Sequence, residues 1–132
     1  MTLAGATLRV ARSTDRMEEI TAFYVEGLGF EKLATFEDHQ GFDGVMLGSP
    51  QSPYHLEFTR HRGHQSVARP DPETLLVFYL SDEADWRASV ARLRAFGVAP
   101  VRSYNPYWDV SGLTFEDPDG FRIVLQNAAW TA

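Results

Sequence analysis

Along His55-Leu56-Glu57-Phe58-Thr59 polar and apolar residues alternate. In a strand this puts His55, Glu57 and Thr59 on one face and Leu56 and Phe58 on the other. A His-x-Glu pair offers an imidazole and a carboxylate to one ligand, so it can coordinate metal or shuttle protons. It can equally hydrogen-bond inside a half-polar cavity without doing chemistry. A second region of interest is Tyr104-Asn105-Pro106-Tyr107-Trp108-Asp109, where large rings flank a proline in an expected loop or strand edge. A core strand would alternate its rings with polar residues. Clustered rings suit stacking on a planar ligand, or sealing an interface or the bottom of a sheet.

Other patterns fail on closer reading. His61-Arg62-Gly63-His64 looks like a metal box but lies in a charged connection, and it reads as a surface loop. Asp117-Pro118-Asp119-Gly120 begins like a calcium loop, yet Phe121 and Arg122 stand where Asp or Asn and Gly are needed, so it reads as a hairpin turn. There is no Gly-x-Ser-x-Gly elbow and no glycine-rich phosphate loop. Cysteine is absent, which removes disulfides, thiol nucleophiles and zinc-thiolate sites.

The elements that position these residues follow from periodicity. Asp15 is placed as an N-cap with Glu18 three residues on, and Met17, Ile20, Tyr24 and Leu28 follow at helical spacing until Gly27 and Gly29. A second helix starts near Ser81 or Asp82, carries Trp86, Val90 and Leu93 on one face, and stops at Gly97. Strand-like segments precede them at residues 8–12 and 75–80, and short strands follow each. Gly29 and Gly97, Phe36 and Tyr104, Gly44 and Gly112, and Pro50 and Pro118 are each 68 positions apart. Past the proline the offset is 67, which lays His55-Leu56-Glu57-Phe58 over Arg122-Ile123-Val124-Leu125. The chain thus reads as a duplication: module one at 7–60, a linker at 61–73 and module two at 74–128, each a strand, a helix and three strands.

Composition bounds the partners. The 132 residues suit one domain, or two half-size repeats sharing a core. Eighteen acidic against twelve basic side chains give a net charge of −6, which repels nucleic acid and anionic membranes and mildly favours cationic ligands, when it is not a plain solubility device. Aromatics make up 13%, more than a small core needs, which points to a lined cavity or an interface. No apolar run approaches the ~18 residues that span a bilayer, and a cytoplasmic location is expected.

The runs Ile20-Thr21-Ala22-Phe23-Tyr24-Val25-Glu26-Gly27-Leu28-Gly29-Phe30, Val90-Ala91-Arg92-Leu93-Arg94-Ala95-Phe96-Gly97 and Phe115-Glu116-Asp117-Pro118-Asp119-Gly120 resemble the vicinal oxygen chelate superfamily of glyoxalase I, extradiol dioxygenases, and fosfomycin and bleomycin resistance proteins. The resemblance implies an α+β fold of two tandem βαβββ modules, a curled mixed sheet around a cavity. Catalytic members take metal ligands from the first and last strand of each module. Those positions fall here on Arg9, Leu75, Glu57 and Val124, and only Glu57 can be a ligand, because Arg stays protonated and Leu and Val carry no donor atoms. An Arg9–Glu57 ion pair across the groove would replace the metal. In bleomycin-resistance-like members rings sandwich a flat part of the drug, which implies a wall of Phe36, His39, Phe42, Tyr107 and Trp108, with Arg9, His55, Glu57 and Arg122 orienting polar edges.

The expected function is metal-free, cofactor-free binding and sequestration of a partly planar small molecule, in the manner of antibiotic-binding members, by a homodimer with no nucleic-acid or membrane partner. The alternative is a glyoxalase-like, metal-dependent lyase or isomerase with Glu57 as ligand or general base. A metabolite is a third possible cargo.

Overall fold

Val45, Leu47, Leu56 and Phe58 are buried and lie two residues apart along two paired strands, which gives those strands one dry face. In the computed structural model, which describes residues 2–131, these strands belong to a four-stranded sheet. Its members are β1 (Leu8–Ser13), β2 (Glu31–His39), β3 (Phe42–Gly48) and β4 (Tyr54–His61), in the order β1-β4-β3-β2. β1 runs parallel to β4, and the other pairs are antiparallel. Ile20, Phe23 and Tyr24 complete this core, with the Tyr24 ring 5.1 Å from that of Phe58.

The first helix departs from a regular pattern. α1 (Met17–Ala22) passes into a π-helical turn, Phe23–Gly27. Periodicity did not foresee the wider turn, in which the neighbours Phe23 and Tyr24 are both buried. Asp15 is not the N-cap. Arg16 holds that position without a side-chain cap, and the Asp15 carboxylate instead accepts from the Ser66 N–H at 3.0 Å.

The second sheet holds β5 (Leu75–Tyr79), β6 (Gly112–Glu116) and β7 (Arg122–Gln126), in the order β5-β7-β6, with β5 parallel to β7. α2 (Glu83–Phe96) is capped by Asp82, whose side chain accepts from the Ala84 N–H at 2.8 Å, and it ends at Gly97 with φ 105°. Val90 and Leu93 are buried, and the Trp86 indole donates to the Leu125 carbonyl at 2.8 Å. A third strand was expected after this helix. Among the described residues a single bridge, Val101 with Thr114, stands in its place, and the chain then enters the short helix α3 (Tyr107–Val110). Pro106 has no N–H for a ladder and is already helical at φ −57°, while Asn105 Oδ1 accepts from the Tyr107 N–H.

The duplication holds at the level of register. Gly44 lies opposite Thr59 and Gly112 opposite Gln126, the pairing that offsets of 68 and 67 require. Gly29 and Gly97 both have positive φ. The fold is mixed α+β. It divides into two compact units: residues up to Val25 with Gly29–Ala68, and Glu26–Leu28 with residues from Arg69 on.

Candidate functional site

Strand pairing decides which side chains of the first unit share a surface. Arg9 is the partner of His55, Ala11 of Glu57 and Ser13 of Thr59. On the other side of β4, Met46 pairs with Glu57, Gly44 with Thr59 and Phe42 with His61, while Phe36 of β2 pairs with Gly44. Arg9, His55, Glu57, Phe36 and Phe42 therefore lie on one sheet face, opposite the dry face of Leu56 and Phe58.

Arg9 organises the polar end of this face. Its Nε donates to His55 Nε2 at 2.9 Å, and its NH1 lies 3.3 Å from Glu57 Oε2. An arginine only donates, so His55 Nε2 accepts and the proton of the neutral ring sits on Nδ1. The Arg9 side chain is 46% exposed and that of Glu57 14%, so the pair is half wet and half sheltered. The expected ion pair forms between neighbouring strands of one sheet.

Phe36 and Gly44 are coupled by space. A Cβ on Gly44 would stand 2.3 Å from the Phe36 ring, so the ring lies over the glycine. His39, the last residue of β2, sits edge-on to Phe36 with centroids 6.2 Å apart. The tight turn that ends this strand uses positive φ at Asp38, Gln40 and Gly41. Arg62 ties it down, donating to both oxygens of Asp43 and reaching Asp38 at 3.5 Å. The hydrogen bond from Arg62, followed by that from the Asp38 N–H, holds the Asp43 carboxyl below the usual carboxylate range.

One residue of this face is missing from the sequence-based set. His61, which the sequence places in a surface loop, is the last residue of β4 and continues the alternation of His55, Glu57 and Thr59. Its imidazole stacks on Phe42 at 4.3 Å and on His64 at 3.7 Å, in planes 11° and 7° apart. The period-2 pattern, followed two residues further, would have found it.

In the second unit the predicted residues separate. Arg122 turns to its sheet neighbours: Nε donates to Glu116 at 3.3 Å and NH1 to the Arg102 carbonyl at 3.2 Å. Tyr107 is 60% exposed and meets Trp108 edge-on at 4.9 Å. Trp108 lines a groove of about 370 Å³ with Glu73, Leu75, Tyr104 and Asn105 among its walls. Tyr104 was part of the aromatic cluster in the sequence but was not counted as wall. The sheet face that carries Arg122 is dry toward its other end, where Val124, Thr114 and Gln126 are buried. Thr114 Oγ1 and Gln126 Oε1 have no hydrogen-bond partner there among the described residues.

The superfamily resemblance implies a divalent metal, and the donor set does not fit one. Arg9 carries a fixed positive charge, Leu75 and Val124 have no donor atoms, and the Arg9 guanidinium engages both His55 and Glu57. Among the described residues no three His, Asp or Glu side chains gather as a metal cluster. No helix among them is long and apolar enough to cross a membrane.

Residues 8–59 match the model of the YycE-like N-terminal domain and residues 73–127 that of the YycE-like C-terminal domain. The chain is 45% identical over 124 residues to a YycE protein of Bacillus subtilis strain 168, covering 94% of this chain and 89% of that protein. The crystal structure of a B. subtilis YycE protein of unknown function superposes with a TM-score of 0.89 at 43% identity, over 97% of this chain and 93% of that one. Two more distant structures share the fold. One is the trypanothione-dependent glyoxalase I of Leishmania major, with TM-score 0.70, 23% identity, and 92% and 86% coverage. The other is TnmS3, an antibiotic binding protein from Streptomyces sp. CB03234, with TM-score 0.66, 23% identity, and 96% and 97% coverage. With one family domain on each half and a close relative along nearly its whole length, the chain belongs to the YycE-like family, within the vicinal oxygen chelate superfamily.

Proposed function

We propose that this protein binds and sequesters a partly planar small molecule without making or breaking a bond. The observation that carries the reading is the Arg9 guanidinium bonded to His55 and Glu57, where catalytic relatives would need metal ligands. Arg9 takes the Nε2 lone pair of His55 and contacts one oxygen of Glu57, and its fixed positive charge opposes a metal at that place. On the first unit the rings of Phe36, His39 and Phe42 supply surfaces for stacking, and on the second Trp108 does so, with Tyr107 edge-on to it. Arg9, His55 and Glu57 orient polar edges on the first unit. The antibiotic binding protein TnmS3, with the same fold, supports this reading. We include in it a homodimer in the cytoplasm, with neither nucleic acid nor membrane as partner.

The test is a calorimetric titration with planar compounds, antibiotics among them, with and without a chelator. Unchanged affinity is the expected result. Loss of binding on chelation overturns the reading and favours a metal-dependent lyase or isomerase that uses Glu57.

A further inference from the structure

The groove beside Trp108 has a composition that selects among planar molecules. Its volume, about 370 Å³, suits a small organic ligand. Two of its lining residues are aromatic, Tyr104 and Trp108, and Leu75 adds an apolar one. Its one charged wall residue is Glu73.

The local chain explains why Glu73 is available. Asp71 Oδ1 accepts from the backbone N–H groups of Glu73 and Thr74 at 2.8 Å each, and its Oδ2 accepts from the Thr74 hydroxyl at 2.7 Å. Asp71 is thereby consumed in holding the turn. The Glu73 backbone is fixed by the same contacts, while its carboxylate makes no ion pair or side-chain hydrogen bond among the described residues. The Trp108 indole N–H likewise has no partner among the described residues. The nearby cation Arg122 is occupied by Glu116.

From this juxtaposition of two aromatic residues and one unpaired carboxylate along one groove we propose that it takes a planar organic cation, such as an N-alkylated heteroaromatic ring. The inference rests on the sequestration reading and narrows its cargo. Ring faces carry negative quadrupole potential, so they attract a cation as well as stack on its plane. Glu73 adds Coulombic attraction from the rim, and the chain's net charge of −6 acts in the same direction. An anion of the same shape meets opposition from all three. A neutral ring keeps only the stacking.

Three probes of one shape separate these contributions: N-methylquinolinium, quinoline at neutral pH, and a quinoline carboxylate. The readout is the set of indole N–H resonances in a ¹H–¹⁵N spectrum during titration. Trp86, whose indole is bonded to the Leu125 carbonyl, and Trp130, exposed near the C-terminus, serve as internal controls. The cation is expected to bind most tightly and to shift the Trp108 resonance while that of Trp86 stays. Glu73→Gln, at an exposed turn, should weaken the cation about five-fold and leave quinoline unchanged. Equal affinities for cation and neutral ring, or a Glu73→Gln protein with its preference intact, overturn the cation class and leave planar sequestration standing. If none of the three probes moves the Trp108 resonance at millimolar concentration, this groove is no site for a planar ligand and both readings lose it.

Discussion

On the first sheet Arg9 and His55 are strand partners; on the second the equivalent partners are Leu75 and Arg122. The cation has moved from the first strand of one half to the last strand of the other, where Glu116 takes it. Glu57 has Val124 as its counterpart. The consequence is one face with an imidazole, a guanidinium and a carboxylate in contact, and another whose far end is buried and uncharged. What both halves retain is backbone geometry: positive φ at Gly29 and Gly97, and a glycine opposite Thr59 and opposite Gln126. The duplication constrains the chain trace while the side chains on the equivalent faces diverge. A resemblance in fold therefore says little about chemistry until each face is read by itself.

The largest test of that contrast lies inside the second half. Trp86 packs on its sheet with a hydrogen bond to the Leu125 carbonyl, whereas Trp108 borders the groove. Trp86→Ala removes a large apolar contact and strands a carbonyl, at a cost of about 3 kcal/mol of stability. Trp108→Ala should leave the melting temperature nearly intact and weaken binding of a planar ligand by roughly 1 to 3 kcal/mol. Thermal melts and titrations on both variants decide the matter. If Trp108→Ala melts as early as Trp86→Ala, Trp108 is structural and the groove loses its wall.

Smaller, and of opposite sign, is the effect expected at Thr114. Its hydroxyl is fully buried and has no partner among the described residues, on a face that is otherwise dry toward Val124. Valine has nearly the same shape without the polar atom. Thr114→Val should therefore stabilise the protein by about 1 kcal/mol in a urea titration, because an unsatisfied hydroxyl no longer has to be desolvated. Destabilisation would mean that the second-half face is not dry at this point, and the contrast between the halves would soften.

On the polar face Arg9→Met tests the ion pair. Since Arg9 is nearly half exposed, most of its attraction to Glu57 is screened, and the expected loss is below about 1 kcal/mol. A loss of several kcal/mol would show that Glu57 is far more desolvated than its exposure indicates.

How far the sequence foretold these features depends on the range of the interactions that fix them. Asp82 and Gly97 bound α2 through contacts a few residues away, and both were readable. So was the turn at Asp117, whose carboxylate accepts from the N–H groups of Asp119 and Phe121. The Arg9–Glu57 pair was legible because strand positions could be counted through the family resemblance. Asp15 misled, because its carboxylate is taken by Ser66, distant in sequence. The missing strand before β6 was hidden for a similar reason. Asn105 and Pro106 act locally to start a helical turn, and this overrides the symmetry that three strands in the first half suggested. The bond of Arg122 to Glu116 depends on the hairpin register, which strand counting along the sequence does not supply.

The smallest effect separates two aspartates, one in each half, whose carboxyls are both held below the ordinary value. At Asp43 the leading cause is the hydrogen bond from the Arg62 guanidinium, with backbone help from Asp38. At Asp71 the donors are neutral: the Thr74 hydroxyl first, then the Glu73 and Thr74 backbone N–H groups. A folded pKa below the unfolded one contributes stability that is present above the unfolded value and is lost as pH falls through the folded value, so both residues favour the fold at neutral pH. They differ in their response to salt. Screening at about 1 M weakens the attraction of Arg62 for the exposed Asp43 carboxylate, whereas hydrogen bonds from neutral donors in contact are little affected. A carboxyl ¹³C titration at low and high salt should therefore show the Asp43 midpoint rising toward the ordinary range while Asp71 stays depressed. Arg62→Met should reproduce the rise at Asp43 without added salt and leave Asp71 unmoved. Equal movement of the two midpoints would mean that a general field acts on both halves, and the assignment of a charged clamp to the first and a neutral turn to the second would fail.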